Sequence, residues 1–179
     1  MTVLAQQNFT LKNQDNKEIS LNDFKGKTVV LEWLNHGCPF VRKHYDSKSM
    51  QNLQKKWTEQ GIVWLSIISS APGKQGFVSA EEAKKDMRIN DSYASHVLLD
   101  PEGKVGKMYE AKTTPHMFVI SPAGERVYEG AIDSISDTNK ESLSKARNYI
   151  EEVLTQLKNK QKVSVSKTKA YGCSVKYAD

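Results

Sequence analysis

The chain has 179 residues, of which 38% are hydrophobic and 26% are charged, and its formal net charge is +5. This length and composition predict one globular domain with a hydrophobic core. No apolar run approaches the roughly 20 residues that a membrane-spanning helix needs, and Met1–Gln7 lacks the pattern of a signal peptide. We therefore expect a cytoplasmic protein, or a periplasmic or exported one if a leader was removed.

Positive charge is concentrated at the C-terminus. From Lys158 onward there are six lysines and one acid, Asp179, so this segment carries the net charge. It contains no arginine, which favours a solvated surface segment over a contact with nucleic acid or membrane. We expect neither a nucleic-acid partner nor stable membrane insertion. Residues 1–179 are expected to form one domain, with a core over 8–158 and a basic tail over 159–179.

The first half of the chain alternates predicted strands and helices. Phe9–Lys12 and Glu18–Leu21 predict a β-hairpin, followed by a brief helical turn up to Phe24. Thr28–Leu34 and Ile62–Ile68 are nearly continuous apolar runs, which predicts strands buried on both faces.

A helix is predicted between these two buried strands, from Pro39 to Gly61. Proline suits the first helical turn, and the apolar positions that follow fit helical spacing with one shift. The strand–helix–strand order implies a parallel, right-handed crossover. The later elements are predicted as helix Ala80–Arg88 capped by Ser79, strand Val97–Leu99, helix Val105–Tyr109, strand His116–Ile120, strand Glu125–Glu129 and helix Thr138–Lys158.

Cys38 lies where the first buried strand gives way to the helix that begins at Pro39. A helix start favours negative charge and so stabilises a thiolate, the reactive form of cysteine. Arg42 and His36 add positive charge nearby, although either residue is also a plausible surface or loop residue. An inert core cysteine is the alternative for Cys38.

Glu32 interrupts the first buried strand. A carboxylate in a central strand is costly unless it is paired or protonated. An edge position facing water is one interpretation of Glu32. A buried acid with a raised pKa, passing protons to the nearby Cys38 thiol, is the other.

The chain has two cysteines, Cys38 and Cys173, which lie 135 residues apart. They form neither a local C-x-x-C pair nor a disulfide-rich scaffold. A closed zinc site needs four ligands, and the four histidines show no tight ligand spacing. We expect no metal and no other cofactor.

Three segments resemble the redoxin-domain branch of the thioredoxin superfamily, which includes alkyl hydroperoxide reductase and thiol-specific antioxidant-like proteins. The segments are His36–Tyr45, Thr113–Ile120 and Tyr171–Tyr177. Such a resemblance implies a thioredoxin-like α/β three-layer sandwich, with a mixed central sheet, an N-terminal β-hairpin extension and a C-terminal tail.

The resemblance also implies roles for individual residues. Cys38 matches the attacking cysteine of the thioredoxin C-x-x-C motif, while Val41 stands in place of the second cysteine. Glu32 matches the buried acid of thioredoxins. Thr114 and Pro115 match the Thr-cis-Pro pair that faces the cysteine and aligns the substrate, a role in which we also place Pro39, His36 and Arg42.

Cys173 has three interpretations. It is a free tail cysteine, a structural disulfide partner of Cys38, or a resolving cysteine that releases a mixed disulfide from Cys38. In the third interpretation Cys173 would supply the second redox cysteine, whose place in the motif Val41 takes.

Two enzymatic functions and one binding function are compatible with these residues. Cys38 performs thiol–disulfide exchange on protein or small-molecule substrates with an external reductant, or it reduces peroxides through a sulfenic acid. Peroxiredoxins carry proline and threonine or serine where this chain has Leu31 and Asn35, so exchange is favoured. The third function is a non-catalytic module that binds at the Thr114–Pro115 groove.

Overall fold

The computed structural model describes residues 7–179. The expectation about an N-terminal leader rests on Met1–Gln7, of which residues 1–6 lie outside the described part. The strands are β1 (Thr10–Asn13), β2 (Glu18–Ser20), β3 (Val29–Trp33), β4 (Val63–Ile68), β5 (His96–Leu99), β6 (Thr113–Thr114), β7 (His116–Ile120), β8 (Arg126–Gly130) and β9 (Cys173–Ser174). The helices are α1 (Pro39–Asp46), α2 (Ser49–Thr58), α3 (Ala80–Ile89), α4 (Lys104–Met108) and α5 (Tyr149–Lys158). No helix within residues 7–179 is long and apolar enough to cross a bilayer.

Seven strands form one mixed sheet in the order β2-β1-β5-β4-β3-β7-β8. Strands β3, β4 and β5 are parallel, whereas β1 and β7 run antiparallel to their neighbours. The predicted N-terminal hairpin is confirmed as β1 and β2 at one edge of the sheet. The architecture is the expected thioredoxin-like α/β fold with a mixed central sheet.

Strand β3 contributes side chains to two hydrophobic clusters, one on each face of the sheet. All five of its residues are buried, and alternate side chains enter opposite layers. Val30 packs with α1, α2 and α5 in one apolar cluster, which also contains Cys38. Leu31 and Trp33 pack on the other face, where α4 and the turn at Leu21 lie. The result is the predicted three-layer sandwich.

The prediction of a single helix from Pro39 to Gly61 is wrong. The chain breaks after α1, where Lys48 adopts a left-handed φ of 66°, and α2 begins at the next residue. Buried Gln51 donates to the carbonyl of Tyr45, 2.9 Å away, so a side chain satisfies a carbonyl at the end of α1. The shift in apolar spacing is the sequence trace of this break.

The prediction of a helix over Thr138–Lys158 is also wrong in its first half. Helix α5 begins at Tyr149, because the Asn148 side chain accepts a hydrogen bond from the Glu151 amide and caps it. Only a short 3-10 turn, Lys140–Ser144, precedes this cap.

The tail after α5 packs against the domain, which corrects the expectation of a purely solvated segment. Its lysines are exposed except for half-buried Lys176, but Tyr171 and Val175 are both only 9% exposed. Backbone hydrogen bonds join the tail to β8 at Glu129, and β9 then pairs with β6. The tail therefore reaches from one edge of the sheet to the end of α1.

Candidate active site

Cys38 is the N-cap residue of α1, directly before Pro39. Its carbonyl accepts hydrogen bonds from the amides of Val41 and Arg42, at 3.0 and 2.9 Å. Its side chain is completely buried. The predicted start of the helix is confirmed, and the thiol lies at the end of the helix that favours negative charge.

The loop that leads to Cys38 is held by side chains. Asn35 accepts a hydrogen bond from the Gly37 amide at 2.8 Å and donates to Gln75 at 3.1 Å. Gln75 also donates to the Gly37 carbonyl at 3.2 Å. Sequence reasoning missed Gln75, because no local pattern links it to a loop 38 positions earlier.

Thr114 and Pro115 lie beside Cys38. The bond between them is cis, and both residues are buried at the junction of β6 and β7. The Cys38 thiol donates to the Thr114 carbonyl at 3.2 Å. The Thr114 hydroxyl is buried without a conventional hydrogen bond to the described residues, so it is available to turn towards a Cys38 thiolate.

Cys173 is brought to the same place by the tail. Strand β9 runs antiparallel to β6, with Cys173 opposite Thr114, and the Cys173 side chain packs at the edge of the cluster that contains Cys38. Both cysteines are free thiols, one buried and one half-buried. Gly172 permits this approach, because a Cβ there would overlap the Thr114 carbonyl.

The two thiols have opposite acidities. Burial works against ionisation of Cys38, but hydrogen bonding by Cys173 and Thr114 outweighs it and lowers the pKa of the Cys38 thiol. Burial and the neighbouring sulfur raise the pKa of Cys173 to about 11. Of the two thiols, Cys38 therefore ionises more readily, and as a thiolate it accepts from Cys173 in place of donating to the Thr114 carbonyl.

Glu32 is buried, which excludes the interpretation of a solvent-facing edge position. Burial raises its pKa, and hydrogen bonds from four side chains oppose this increase. The donors are Tyr45 at 2.6 Å, Ser66 at 2.8 Å, Trp64 at 2.9 Å and Gln54 at 3.2 Å. Within residues 7–179 no hydrogen bond joins Glu32 to Cys38, and its nearest link to the site is Tyr45 on α1.

His36 and Arg42 contact each other and not the Cys38 thiol in the described part of the chain. The Arg42 guanidinium lies 3.3 Å from His36 and donates to Asn90 at 2.8 Å, and it also pairs with Asp46. Burial and the Arg42 charge lower the pKa of His36 to about 4, so His36 is neutral at pH 7. Neither side chain supplies a free cation to Cys38 in this conformation.

Comparisons with known proteins agree with this geometry. The chain is 28% identical over 120 residues to the thiol-disulfide oxidoreductase ResA of Bacillus subtilis, a match that covers 67% of this chain and 62% of ResA. It therefore spans less than two thirds of that relative.

Two solved structures share nearly the whole fold. One is an uncharacterized conserved protein from Geobacillus kaustophilus, 24% identical, with a TM-score of 0.83 over 98% of this chain and 92% of that one. The other is the hypothetical protein SMc02350 from Sinorhizobium meliloti, 18% identical, with a TM-score of 0.82 over 99% of this chain and 96% of that one. At this coverage both alignments include the C-terminal tail. The AhpC/TSA family model matches residues 5–128, more than half of the sequence, and the chain belongs to the AhpC/TSA family.

Proposed function

We propose that this protein is a thiol–disulfide oxidoreductase whose redox pair is Cys38 and Cys173. The observation that carries the proposal is the convergence of the only two cysteines of the chain on one site. Their opposite acidities provide a nucleophile and a proton-bearing partner. The similarity to ResA, whose name states this activity, supports the same reaction class.

The first step is attack by the Cys38 thiolate on one sulfur of a substrate disulfide. A bond forms between Cys38 and that sulfur, the substrate S–S bond breaks, and the other substrate sulfur leaves as a thiolate that takes a proton from solvent. Thr114, Pro115 and Pro39 frame the attacked sulfur in this proposal.

The second step uses Cys173. Once Cys38 is in a mixed disulfide it carries no charge, so the negative sulfur that raises the pKa of Cys173 is gone. The Cys173 thiol loses its proton to solvent and attacks the Cys38 sulfur, and the second substrate sulfur is expelled as a thiolate. The substrate gains two electrons, the enzyme pair becomes a disulfide, and an external dithiol reduces that disulfide again.

Two measurements test this proposal. The protein is oxidised with one equivalent of a disulfide and digested without reduction, and mass spectrometry should find a Cys38–Cys173 link. Reactivation of a protein with scrambled disulfides should be abolished in Cys38→Ser. In Cys173→Ser it should stop at a mixed disulfide on Cys38. Absence of the Cys38–Cys173 link after full oxidation would exclude Cys173 from the reaction.

Peroxide reduction is the second candidate, and membership of the AhpC/TSA family favours it. In this reaction the Cys38 thiolate attacks one peroxide oxygen, the O–O bond breaks, and Cys38 becomes a sulfenic acid with release of an alcohol or water. Cys173 then attacks the Cys38 sulfur, the S–O bond breaks, a Cys38–Cys173 disulfide forms and water leaves. Leu31 and Asn35 stand where peroxiredoxins carry proline and threonine or serine, so exchange remains the favoured reaction.

A side-by-side assay separates the two reactions. The same enzyme preparation is supplied with one dithiol reductant and either hydrogen peroxide or a scrambled-disulfide protein. Trapping with a sulfenic-acid reagent in Cys173→Ser reports the peroxidase route only. Rapid peroxide consumption with a trapped sulfenic acid, and no disulfide exchange, would replace our proposal with the second candidate.

A further inference from the structure

The segment from Tyr171 to Tyr177, which we call the strap, is fastened to the domain at both ends. At its start, the Tyr171 hydroxyl donates to buried Asp133 at 2.6 Å and lies 3.2 Å from His44 of α1. The Tyr171 ring also packs edge to face on Phe40. These contacts connect the strap directly to the helix that Cys38 begins.

The far end of the strap is held mainly through backbone groups. The Val175 amide donates to the Lys112 carbonyl at 3.0 Å, and the Lys176 carbonyl accepts from the Ala71 amide at 2.8 Å. The Tyr177 hydroxyl donates to the Ala111 carbonyl at 2.7 Å.

Between these ends, β9 occupies the edge of β6. Thr113 is opposite Ser174, and Thr114 is opposite Cys173. Cys38 is fully buried in this arrangement, and Thr114 is only 2% exposed. A strand edge pairs with one strand at a time, so a second polypeptide cannot reach these backbone groups while β9 is in place.

The register in which β9 pairs with β6 also bears on how a substrate would bind. Pairing with β6 places a cysteine of the strap opposite Thr114, beside the Cys38 sulfur. An extended substrate segment paired in the same register would place its own disulfide sulfur at that position. The strap therefore has the geometry of a bound product, with Cys173 in the place of the substrate cysteine.

We propose that the edge of β6 is a polypeptide-binding edge, taken in turn by the strap and by an extended, disulfide-bearing segment of a substrate protein. The strap leaves β6 so that the substrate strand can pair there, and Cys38, whose thiolate then keeps the hydrogen bonds of Thr114 and of the Val41 amide, attacks its disulfide. The strap then returns, and its pairing with β6 both displaces the substrate strand and delivers Cys173 to the mixed disulfide. This proposal rests on the proposed exchange activity and adds the substrate class and the order of binding.

Gly172 provides a variant that weakens the strap without touching a cysteine. Its φ is 141°, and a Cβ would overlap the Thr114 carbonyl, so Gly172→Ala should keep β9 from docking. Gly61→Ala is the matched control, because Gly61 also has a positive φ, of 88°, but a Cβ there meets no atom of residues 7–179 within 4 Å. Both are placed in a Cys173→Ser background of the 179-residue chain, in which Cys38 is the only cysteine.

Two probes report on these variants. Iodoacetamide measures access to Cys38 and requires no exchange activity, so its result is independent of the proposed function. The second probe is a synthetic peptide with the strap sequence Tyr-Gly-Cys-Ser-Val-Lys-Tyr, whose cysteine carries a thionitrobenzoate disulfide, with a peptide of scrambled order for comparison. Release of the coloured thiolate measures attack by Cys38.

Undocking the strap also removes the hydroxyl donor at position 173, so each rate is divided by the fraction of Cys38 that is thiolate, measured by ultraviolet absorbance. We expect Gly172→Ala to raise both of these rates at least about tenfold, equivalent to about 1.4 kcal/mol of strap binding, while Gly61→Ala leaves them unchanged. The strap-sequence peptide should react faster than the scrambled one. Equal iodoacetamide rates in a folded Gly172→Ala protein and its background would overturn the strap as a cover. If Cys38 becomes accessible in Gly172→Ala but reacts equally fast with both peptides, the proposal that strap and substrate share the edge of β6 is wrong.

Hydrogen exchange keeps the proposal testable if Gly172→Ala does not fold. In the Cys173→Ser background, a mixed disulfide between Cys38 and the strap-sequence peptide should remove protection from the Val175 and Ala71 amides. Both amides have hydrogen-bond partners across the strap contact. Unchanged protection in the peptide-linked protein would show that strap and peptide do not compete.

Discussion

Replacing Cys173 with alanine should make Cys38 a weaker acid. The Cys173 thiol is the leading influence that favours the Cys38 thiolate, whereas burial opposes it. Alanine removes the donor and leaves the thiol buried. The hydrogen bonds of Thr114 and of the backbone amides at Val41 and at position 173 then remain against desolvation.

The size of the effect follows from the kind of hydrogen bond that is lost. A hydrogen bond to a charged group contributes about 1.5–3 kcal/mol, and each 1.36 kcal/mol changes an ionisation constant tenfold. At a pH below the pKa, the thiolate fraction of Cys38 should therefore fall about 10- to 100-fold in Cys173→Ala. Cys173→Ser retains a hydroxyl donor at the same position and should lose much less.

The assay is a pH titration of thiolate ultraviolet absorbance on the two variants. Each has Cys38 as its only cysteine, so the signal belongs to one residue, and absorbance does not depend on reagent access. Titrations of Cys173→Ala and Cys173→Ser with the same midpoint would contradict this prediction. The side chain at position 173 would then not act as a donor to Cys38, and the thiolate would be stabilised by Thr114, the backbone amides and the helix terminus.

Three further substitutions test the buried polar groups by urea denaturation. Tyr171→Phe removes the donor to buried Asp133 and should lower the free energy of unfolding by about 1.5–3 kcal/mol. Tyr93→Phe is the control and should lower it by almost nothing, because Tyr93 is 46% exposed. Equal losses in the two variants would contradict this prediction. Burial lowers the pKa of His44 to about 4, so the unfolded chain binds more protons below pH 6.5, and this residue alone should lower stability by about 2 kcal/mol by pH 5. His36 and His116, whose pKa values are also lowered to about 4, add to the same slope. His44→Gln should remove its own share of the slope, and an unchanged slope would exclude a contribution from His44. Burial raises the pKa of Glu32, so protonated Glu32 contributes its full stability below the pKa of the unfolded chain, and this stability is lost as the pH rises through the folded pKa. The free energy of unfolding of Glu32→Gln should therefore increase relative to that of the wild type from pH 5 to 8. A difference between the two proteins that does not change with pH would contradict a raised pKa.

The sequence predicts the elements whose signals are local. The apolar run Thr28–Leu34 predicts a doubly buried strand, and Pro39 predicts the helix start, because strand burial and first-turn geometry depend on neighbouring residues. The capping serine of α3 is confirmed for the same reason, since Ser79 accepts from the Glu82 amide. The cis bond at Thr114–Pro115 follows from the resemblance and not from a local pattern.

The errors arise where a side chain overrides apolar spacing. Leu143 and Ala146 continue the apolar spacing of α5 towards the N-terminus. The helix nevertheless begins at Tyr149, because the Asn148 side chain accepts a hydrogen bond from the Glu151 amide and caps it. The Asn148-x-x-Glu151 pair was visible in the sequence as a capping signal and would have placed the boundary. Gln51, which satisfies the end of α1, acts through tertiary contacts that no periodicity reveals.

The surroundings of Glu32 were beyond prediction for a similar reason. Its four donors come from α1, α2 and β4, so they are assembled only by packing of helices on the sheet. The sequence identifies the cost of a carboxylate in β3. It does not identify what compensates for it, and the structure shows that Tyr45 and Trp64 do so without reaching Cys38.

The position of Cys173 gives this site a property that a C-x-x-C motif does not have. In that motif the second cysteine lies in the helix, at the position that Val41 takes here, buried in the core cluster and 1% exposed. Cys173 instead approaches Cys38 on β9, opposite Thr114 of β6. A resolving thiol in the helix leaves the strand edge free for substrate, whereas a resolving thiol on that edge competes with it. In the mechanism that we propose, valine in place of the second cysteine therefore changes more than the number of cysteines, because release of product and return of the tail become the same event.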